Sequence, residues 1–476
     1  MRSAERSRSL SAARRLTRRE ALKLGVGALA ASLLAARSRP TRGAGSRDRV
    51  IVVGGGMAGL SAARRLVDEY GYRAPGQVIV LEARNRVGGR IFTNRDLGAP
   101  VDLGAIWIHG AQGNPLTALA DRYRAARMPT DYGAFHLYDT DGRLIPDAEA
   151  ERVNAIYESI LEKAEKYASN ELDEDQSFAR TLEDVGAADT ALSSLDRRIL
   201  SYDYFTNLEL DFTLKLTDLS SIQLDQDEEY PGVDKLFPNG YAQVAQGLAA
   251  GLDVRLGVAV QAIDYVGRTV RVSTNRGAFE AQRCVVTLPL GVLKAGKIRF
   301  SPQLPSALRG AVENLGYGAA HRLALLFPRV FWDPRIQFFG YTSPDDGEHF
   351  ELNEASRSTG KPILTVNTAN DFARLLDGMS AERAAARLMP TLRKMFGSGT
   401  PSPLRAVASD WVRSPWTRGS YTYWQVGSSG EDNNAFNEPV QGRLFFAGEH
   451  ASAAYTGTVH GAHQSGLDAA QRVHEA

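Results

Sequence analysis

The sequence predicts an α/β protein in two parts: a dinucleotide-binding domain assembled from three separated stretches, and a second domain built from the two insertions between them. Three observations carry this. "RDRVIVVGGGMAGL", from Arg47 to Leu60, reads as a buried strand, a glycine turn and the start of a helix. Strands return after residue 241, as "DVRLGVAVQAIDY", "TVRVST" and "RCVVTLPL". A last strand, "GRLFFAGE", precedes a helix from about Gly461.

The chain has 476 residues, 43% hydrophobic and 23% charged, which suits a globular protein too long for one ordinary domain. A net charge of +1 gives no global pull toward nucleic acid or an anionic surface. Cys284 is the lone cysteine, so no intramolecular disulfide can form; its run "CVVTL" predicts a buried strand.

The N-terminal stretch reads as an export signal rather than as part of the fold. Arg18 and Arg19 precede a 13-residue apolar run, Leu24 to Ala36, and a spanning helix needs about 20. The arginine pair followed by Leu22 and Lys23 resembles the twin-arginine type, which implies the export machinery as a partner and a periplasmic or secreted location. No other apolar stretch is long enough to be a permanent membrane span.

In chain order, the apolar strand "QVIVLEAR" follows the first helix. Residues 110–240 read as mostly helical. Within them Val153, Ile156, Tyr157, Ile160, Leu161 and Ala164 share one helical face. A mixed segment, 297–410, contains the helix "SAERAAARLMPTLRKMF". It also contains "LGYGAAHRLALLF", Leu315 to Phe327, whose second half alternates as a strand does. Leu323, Leu325 and Phe327 share one face, and Arg322, Ala324 and Leu326 the other. The expected boundaries are 1–43 for the signal and linker, 44–110, 241–296 and 411–476 for the cofactor domain, and 111–240 and 297–410 for the substrate domain.

Gly54, Gly56 and Gly59 form G-x-G-x-x-G between a strand and a helix, where backbone N–H groups and the helix N-terminus suit a pyrophosphate. Glu82 ends the second strand, where a carboxylate accepts from both ribose hydroxyls and repels a 2′-phosphate. The glycine pair Gly88 and Gly89 with Arg90 offers a further pyrophosphate contact, which suits a larger and more buried dinucleotide than NAD. Gly448 and Glu449 close the last strand with another carboxylate suited to sugar hydroxyls. No Cys/His cluster points to a metal.

"VVGGGMAGL", "LEARNRVGGR" and "LFFAGEHAS…GTVHGAHQSG", with "DLGAIWIHG", "LDQDEEYPG", "NGYAQVAQGLAAGL" and "RGSYTYWQVGSSG" between them in order, resemble the flavin-containing amine oxidases, in particular polyamine oxidases and lysine-specific histone demethylases. The resemblance runs from about residue 47 to the end. It implies a Rossmann-like FAD domain with an inserted α+β substrate domain. It implies FAD contacts from Gly54, Gly56, Gly59, Glu82, Arg84, Gly89, Arg90 and Glu449, with Val260 at the adenine, Trp416 near the pyrimidine end of the ring and Val459 near its other contacts. Some members attach the flavin through a cysteine at the position of Ser420, so a serine implies non-covalent FAD.

The implied reaction is hydride transfer from the carbon bearing an amine to the flavin, with oxygen as the second substrate. Tyr421 matches one aromatic wall beside the flavin. Its usual partner position holds Thr458, so Tyr455 is the candidate for the missing ring. His109 matches an active-site histidine, and one of Asp225, Asp227, Glu228 and Glu229 is expected to reach the cavity. Arg322 stands where the family has a lysine that holds a water against the flavin; it keeps the charge but is bulkier and cannot act as a base. Three functions follow: an oxidase of polyamines or related amines giving imine or aldehyde and hydrogen peroxide, an L-amino-acid oxidase whose Arg322 grips the carboxylate, or a flavin-bound binding module.

Overall fold

The computed structural model describes residues 48–187, 191–224, 228–344 and 348–476. The expected export signal, Asp225 and Asp227 lie outside the described residues.

Every position of the strand Val50–Val53 is buried, because both faces of its sheet are covered. Val50 and Val52 share a core with Ala58, Ala62, Ala469 and Ala470 of two helices, Met57–Asp68 and Val459–Glu475. Ile51 and Val53 share a core with Ile263, Val270 and Val272 of an antiparallel layer, Val260–Asp264, Val270–Thr274 and Gly277–Ala281. The sheet has five parallel strands in the order Leu444–Phe446, Arg283–Val286, Val50–Val53, Val78–Glu82, Asp253–Leu256. These strands come from the three stretches that the sequence singles out. Cys284 is fully buried within its strand, and burial pushes its thiol well above the ordinary range.

The two helices cross closely. A Cβ at Gly466 would stand 2.2 Å from the carbonyl oxygen of Ala58, so only glycine fits there. This contact presses the last helix onto the helix that the glycine turn begins.

A six-stranded sheet forms the second region, in the order Arg405–Ala408, Ala320–Leu326, Ile363–Ala369, Glu351–Glu354, Phe338–Tyr341, Phe135–Tyr138. The predicted strand faces hold. Leu323, Leu325 and Phe327 pack with Leu388, Leu392 and Met395 of the helix Ala381–Phe396, while Ala324 packs with Leu97, Ala99 and Val101.

The 110–240 stretch is less uniformly helical than its sequence suggests. Helices Asp147–Asn170 and Ser194–Tyr204 lie there as expected. Phe135–Tyr138, however, adds a parallel edge strand to the six-stranded sheet, and only Leu137 of its four residues is buried, so it lacks an apolar alternation to announce it. The C-terminal helix begins at Val459, just before the expected start. No helix among the described residues is long and apolar enough to cross a membrane.

Gly466→Ala is expected to lower stability by about 1–3 kcal/mol through overpacking and to loosen the glycine turn. Thermal unfolding of the wild-type and variant proteins, with release of bound cofactor followed in the same scan, checks this; an unchanged release temperature would break the link between the helix crossing and the turn.

Candidate active site

A cavity of about 1330 Å³ runs from the carboxyl ends of the parallel strands, at Val53, Leu81 and Thr287, to Ala320, Arg322 and Asn367 of the six-stranded sheet. Clefts at the carboxyl ends of such strands are where α/β sheets bind ligands.

The glycine turn is built by close approach. Gly54 has φ +109°, and a Cβ on it would meet Thr287 Oγ1 at 2.4 Å. The Thr287 hydroxyl donates to the Val53 carbonyl at 2.8 Å and holds the turn down. A Cβ on Gly59 would lie 2.0 Å from the Gly54 carbonyl oxygen. Gly59 does not line the cavity; its role is to let the helix rise this close.

Gly56 differs from both. Its φ is an ordinary −82°, a Cβ there would touch nothing within 4 Å, and it faces the cavity as the N-cap of the first helix. Neither backbone conformation nor packing requires glycine. Space for a ligand at the helix N-terminus does, so the cradle fits the pyrophosphate of a dinucleotide such as FAD.

Around it the expected cofactor residues converge. Glu82 Oε2 accepts the Gly55 N–H and Oε1 the Arg84 N–H, each at 2.7 Å, which fixes the carboxylate at the cavity wall. Gly88, Gly89, Val260, Trp416, Gly448 and Val459 line the same cavity, and Trp416 remains 39% exposed to it and to solvent. Arg90 Nη1 donates to Glu449 Oε1 at 2.8 Å and to the Ser420 carbonyl at 2.6 Å, tying the first stretch of chain to the last. Burial alone would raise the Glu449 carboxyl; Arg90 and the Thr422 N–H outweigh it and hold the group below its usual range. Ser420 is buried, its hydroxyl accepting the Ala320 N–H at 2.6 Å.

At the far end the expected residues separate. Tyr421 lines the cavity, its hydroxyl donating to the Leu210 carbonyl at 3.1 Å. Thr458 also lines it, but its hydroxyl is committed: it accepts the Gly461 N–H at 2.9 Å as N-cap of the last helix and donates to the Tyr455 carbonyl at 2.8 Å. Tyr455 is not part of the cavity wall. Its ring stacks on Tyr230, which is, with centroids 5.2 Å apart, and its hydroxyl donates to Glu228 at 3.0 Å. The turn before the last helix carries it behind Tyr230, so it does not supply the missing ring.

His109 lines the cavity half-exposed, its Nδ1 2.8 Å from Asp234. Asp234 also takes the Gly110 N–H and the Tyr132 hydroxyl, each at 2.8 Å. Of the acidic run, both described carboxylates, Glu228 and Glu229, reach the wall. Asp131, Asp211, Asp234 and Glu351 join them, and sequence reasoning did not find these four. Asp211 arrives through a π-helical turn, Phe205–Glu209, and a short helical end that stops at Thr213 with φ +53°. A Cβ on Gly318 would lie 1.9 Å from the Thr213 hydroxyl oxygen, so that glycine lets the segment seat against Tyr317–Ala320. The neighbouring His460 is neutral, burial pushing it down to about 3.

Arg322 is 9% exposed and lines the cavity. Nη1 donates to Asn367 Oδ1 at 2.6 Å and to Asn353 Oδ1 at 3.5 Å, and Nη2 donates to Thr365 Oγ1 at 2.8 Å. Burial lowers it to about 10 against the pull of Asp102 and Glu351.

The family model described as flavin containing amine oxidoreductase matches residues 57–474. Polyamine oxidase 2 of Arabidopsis thaliana is 36% identical over 437 residues, covering 89% of this chain and 87% of the relative. Lysine-specific histone demethylase 1 homolog 1 of Oryza sativa subsp. japonica is 36% identical over 447 residues, covering 89% of this chain but 52% of the relative. A solved putrescine oxidase, bound to putrescine, superposes with a TM-score of 0.72 at 20% identity, over 90% of this chain and 99% of that one, and bears on the fold alone.

Gly56 and Gly59 separate cofactor fit from folding. Gly56→Ala is expected to leave the unfolding temperature of flavin-free protein unchanged while weakening flavin binding at least about tenfold, whereas Gly59→Ala should lose both. Flavin titration beside thermal unfolding reads the two effects apart.

Proposed function

Because the chain belongs to the flavin-containing amine oxidoreductase family, and is therefore an FAD-dependent amine oxidoreductase, we propose that it oxidises a polyamine or related aliphatic amine. Amine, oxygen and water would yield aldehyde, the released amine or ammonia, and hydrogen peroxide. The observation that carries the choice of substrate is the set of carboxylates on the cavity wall: Asp131, Asp211, Glu228, Glu229 and Asp234. Such a wall concentrates cations and steers them inward.

Bound FAD supplies the acceptor for the hydride that leaves the carbon bearing the amine. The chain's residues bind, orient and exclude water. In this reading the Gly54–Gly59 turn with Gly89 receives the pyrophosphate, Glu82 and Glu449 take sugar hydroxyls, and Arg84 and Arg90 set the charge around them. Val260, Trp416 and Val459 pack against the rings. FAD is non-covalent, since Ser420 offers no thiol. Tyr421 forms one wall of the amine's slot; Thr458 leaves the other open because its side chain caps a helix. His109, oriented by Asp234, can hold a proton or a hydrogen bond at Nε2. We further propose domain boundaries near 110, 240, 296 and 410, and export through the Arg18–Arg19 signal, which Arg18→Lys with Arg19→Lys should block while leaving flavin-loaded protein in the cytoplasm.

Anaerobic mixing with 1,4-diaminobutane or a longer polyamine is expected to bleach the flavin, and admitting oxygen should restore the colour with release of hydrogen peroxide. A flavin that no amine bleaches would refute the reading. Glu228→Gln with Glu229→Gln should raise KM for diamines by about tenfold at low salt, with kcat changed less, and added salt should shrink the difference. Acid precipitation should leave the yellow colour in the supernatant; colour in the pellet would mean a covalent flavin.

A further inference from the structure

Arg322 sits in a row that crosses three strands. It pairs directly with Asn367, and Asn367 pairs with Glu351 on the next strand. Thr365 and Asn353 form the adjoining positions of the same face, paired with each other. Side chains alternate along a strand, so these groups all emerge on the side away from the Leu323–Leu325 core.

The guanidinium is fixed by these neighbours but not neutralised by them. Its hydrogen-bond acceptors are the Asn367 and Asn353 amides and the Thr365 hydroxyl, all neutral. Its Nε has no hydrogen-bond partner among the described residues. Asp102 and Glu351 attract it, and Glu351, which lines the same cavity, accepts the Asn353 amide at 3.2 Å. Arg90 stands in contrast, a half-buried guanidinium in direct contact with Glu449. A buried cation held on a cavity wall by uncharged hydrogen-bond partners is a site arranged for an anion that enters from the cavity. The bracket holds the planar fork in place, so little freedom remains to be lost when a carboxylate docks.

We propose that Arg322 is a carboxylate-binding point inside the substrate cavity, taking either a carboxylate carried by the amine substrate or a free small carboxylate beside it. The first source rests on the amine-oxidation reading; the second does not. An amine that also bears a carboxylate would meet the acidic wall with its cation and Arg322 with its anion.

The test titrates the flavin-loaded enzyme with butyrate, 4-aminobutyrate and 1,4-diaminobutane and follows the flavin absorption, anaerobically for the amines. Butyrate should perturb the wild-type spectrum saturably. Arg322→Met should weaken that binding at least about tenfold, and Arg322→Lys should weaken it less, since it keeps the charge but not the fork. Asn367→Asp supplies a carboxylate from the protein itself and should abolish the response while flavin stays bound; it keeps the proposal testable if Arg322→Met does not fold. Tighter binding of 4-aminobutyrate than of 1,4-diaminobutane, reversed in Arg322→Met, assigns the carboxylate to the substrate. A response to butyrate without that preference assigns it to a free carboxylate. Equal butyrate affinity in wild type and Arg322→Met, or no response at all, overturns the proposal. Arg322-dependent butyrate binding in an enzyme that no amine reduces would leave the proposal standing and bring down the oxidation reading; reduction by amines without butyrate binding would do the reverse.

Discussion

The molecule depends on one close approach. At the end of the central strand the chain turns through Gly54 so tightly that the following helix rises against its carbonyl oxygen, and Gly59 has no room for a Cβ. Thr287, just past the end of a strand far along the chain, pins the turn by its hydroxyl. Gly466 then lets the last helix press on the first. Each of these contacts fixes backbone against backbone, which gives a ligand cradle more rigid than side chains alone would provide. Gly56 is the space left over.

The cavity that opens from this cradle is electrically divided. Its wall carries carboxylates from the Asp131 and Glu228–Asp234 loops and from the end of the π-helical segment. The polar face of the six-stranded sheet contributes a cation whose hydrogen-bond partners are neutral, with the Glu351 carboxylate in the same row. Asp102, near that cation, is pushed up to about 7 by burial despite the Thr93 hydroxyl and the Tyr241 N–H that it accepts. A wall that mixes attraction for cations with a fixed guanidinium selects by where the charges of a ligand lie along its length, and its net charge matters less.

Much of the cofactor end was legible in the sequence because its requirements are local. A strand, a glycine turn, a helix and a carboxylate at the next strand end are written in consecutive residues, and each answers a backbone need. Even there the roles divide in a way that a motif does not display, since Gly59 serves packing and Gly56 the ligand. The substrate end was less legible because its residues meet only through tertiary register. Asp211 reaches the wall by a change of helical winding, and Asp234 by a turn that gathers His109, Gly110 and Tyr132 around it. Tyr455 is lost to the wall because it stacks on Tyr230. For Arg322 a usable signal was present: Thr365 with Asn367, and Glu351 with Asn353, are polar residues at alternate positions of otherwise buried strands. Placing them opposite the arginine required knowing which strands pair.

The parallel sheet also sets when this protein can become itself. Its central strand is made before its partner Arg283–Val286, and Leu444–Phe446, which completes the sheet, comes later still. Pairings so distant in sequence must wait for synthesis to supply them. During translation the apolar edge at Cys284–Val286 is therefore open, and the cofactor cradle lacks the helix that presses it shut. Completion of the sheet and of the cofactor cradle waits until residues 444–475 have been made, and a nascent chain stalled before residue 444 offers an unpaired strand edge to any neighbour.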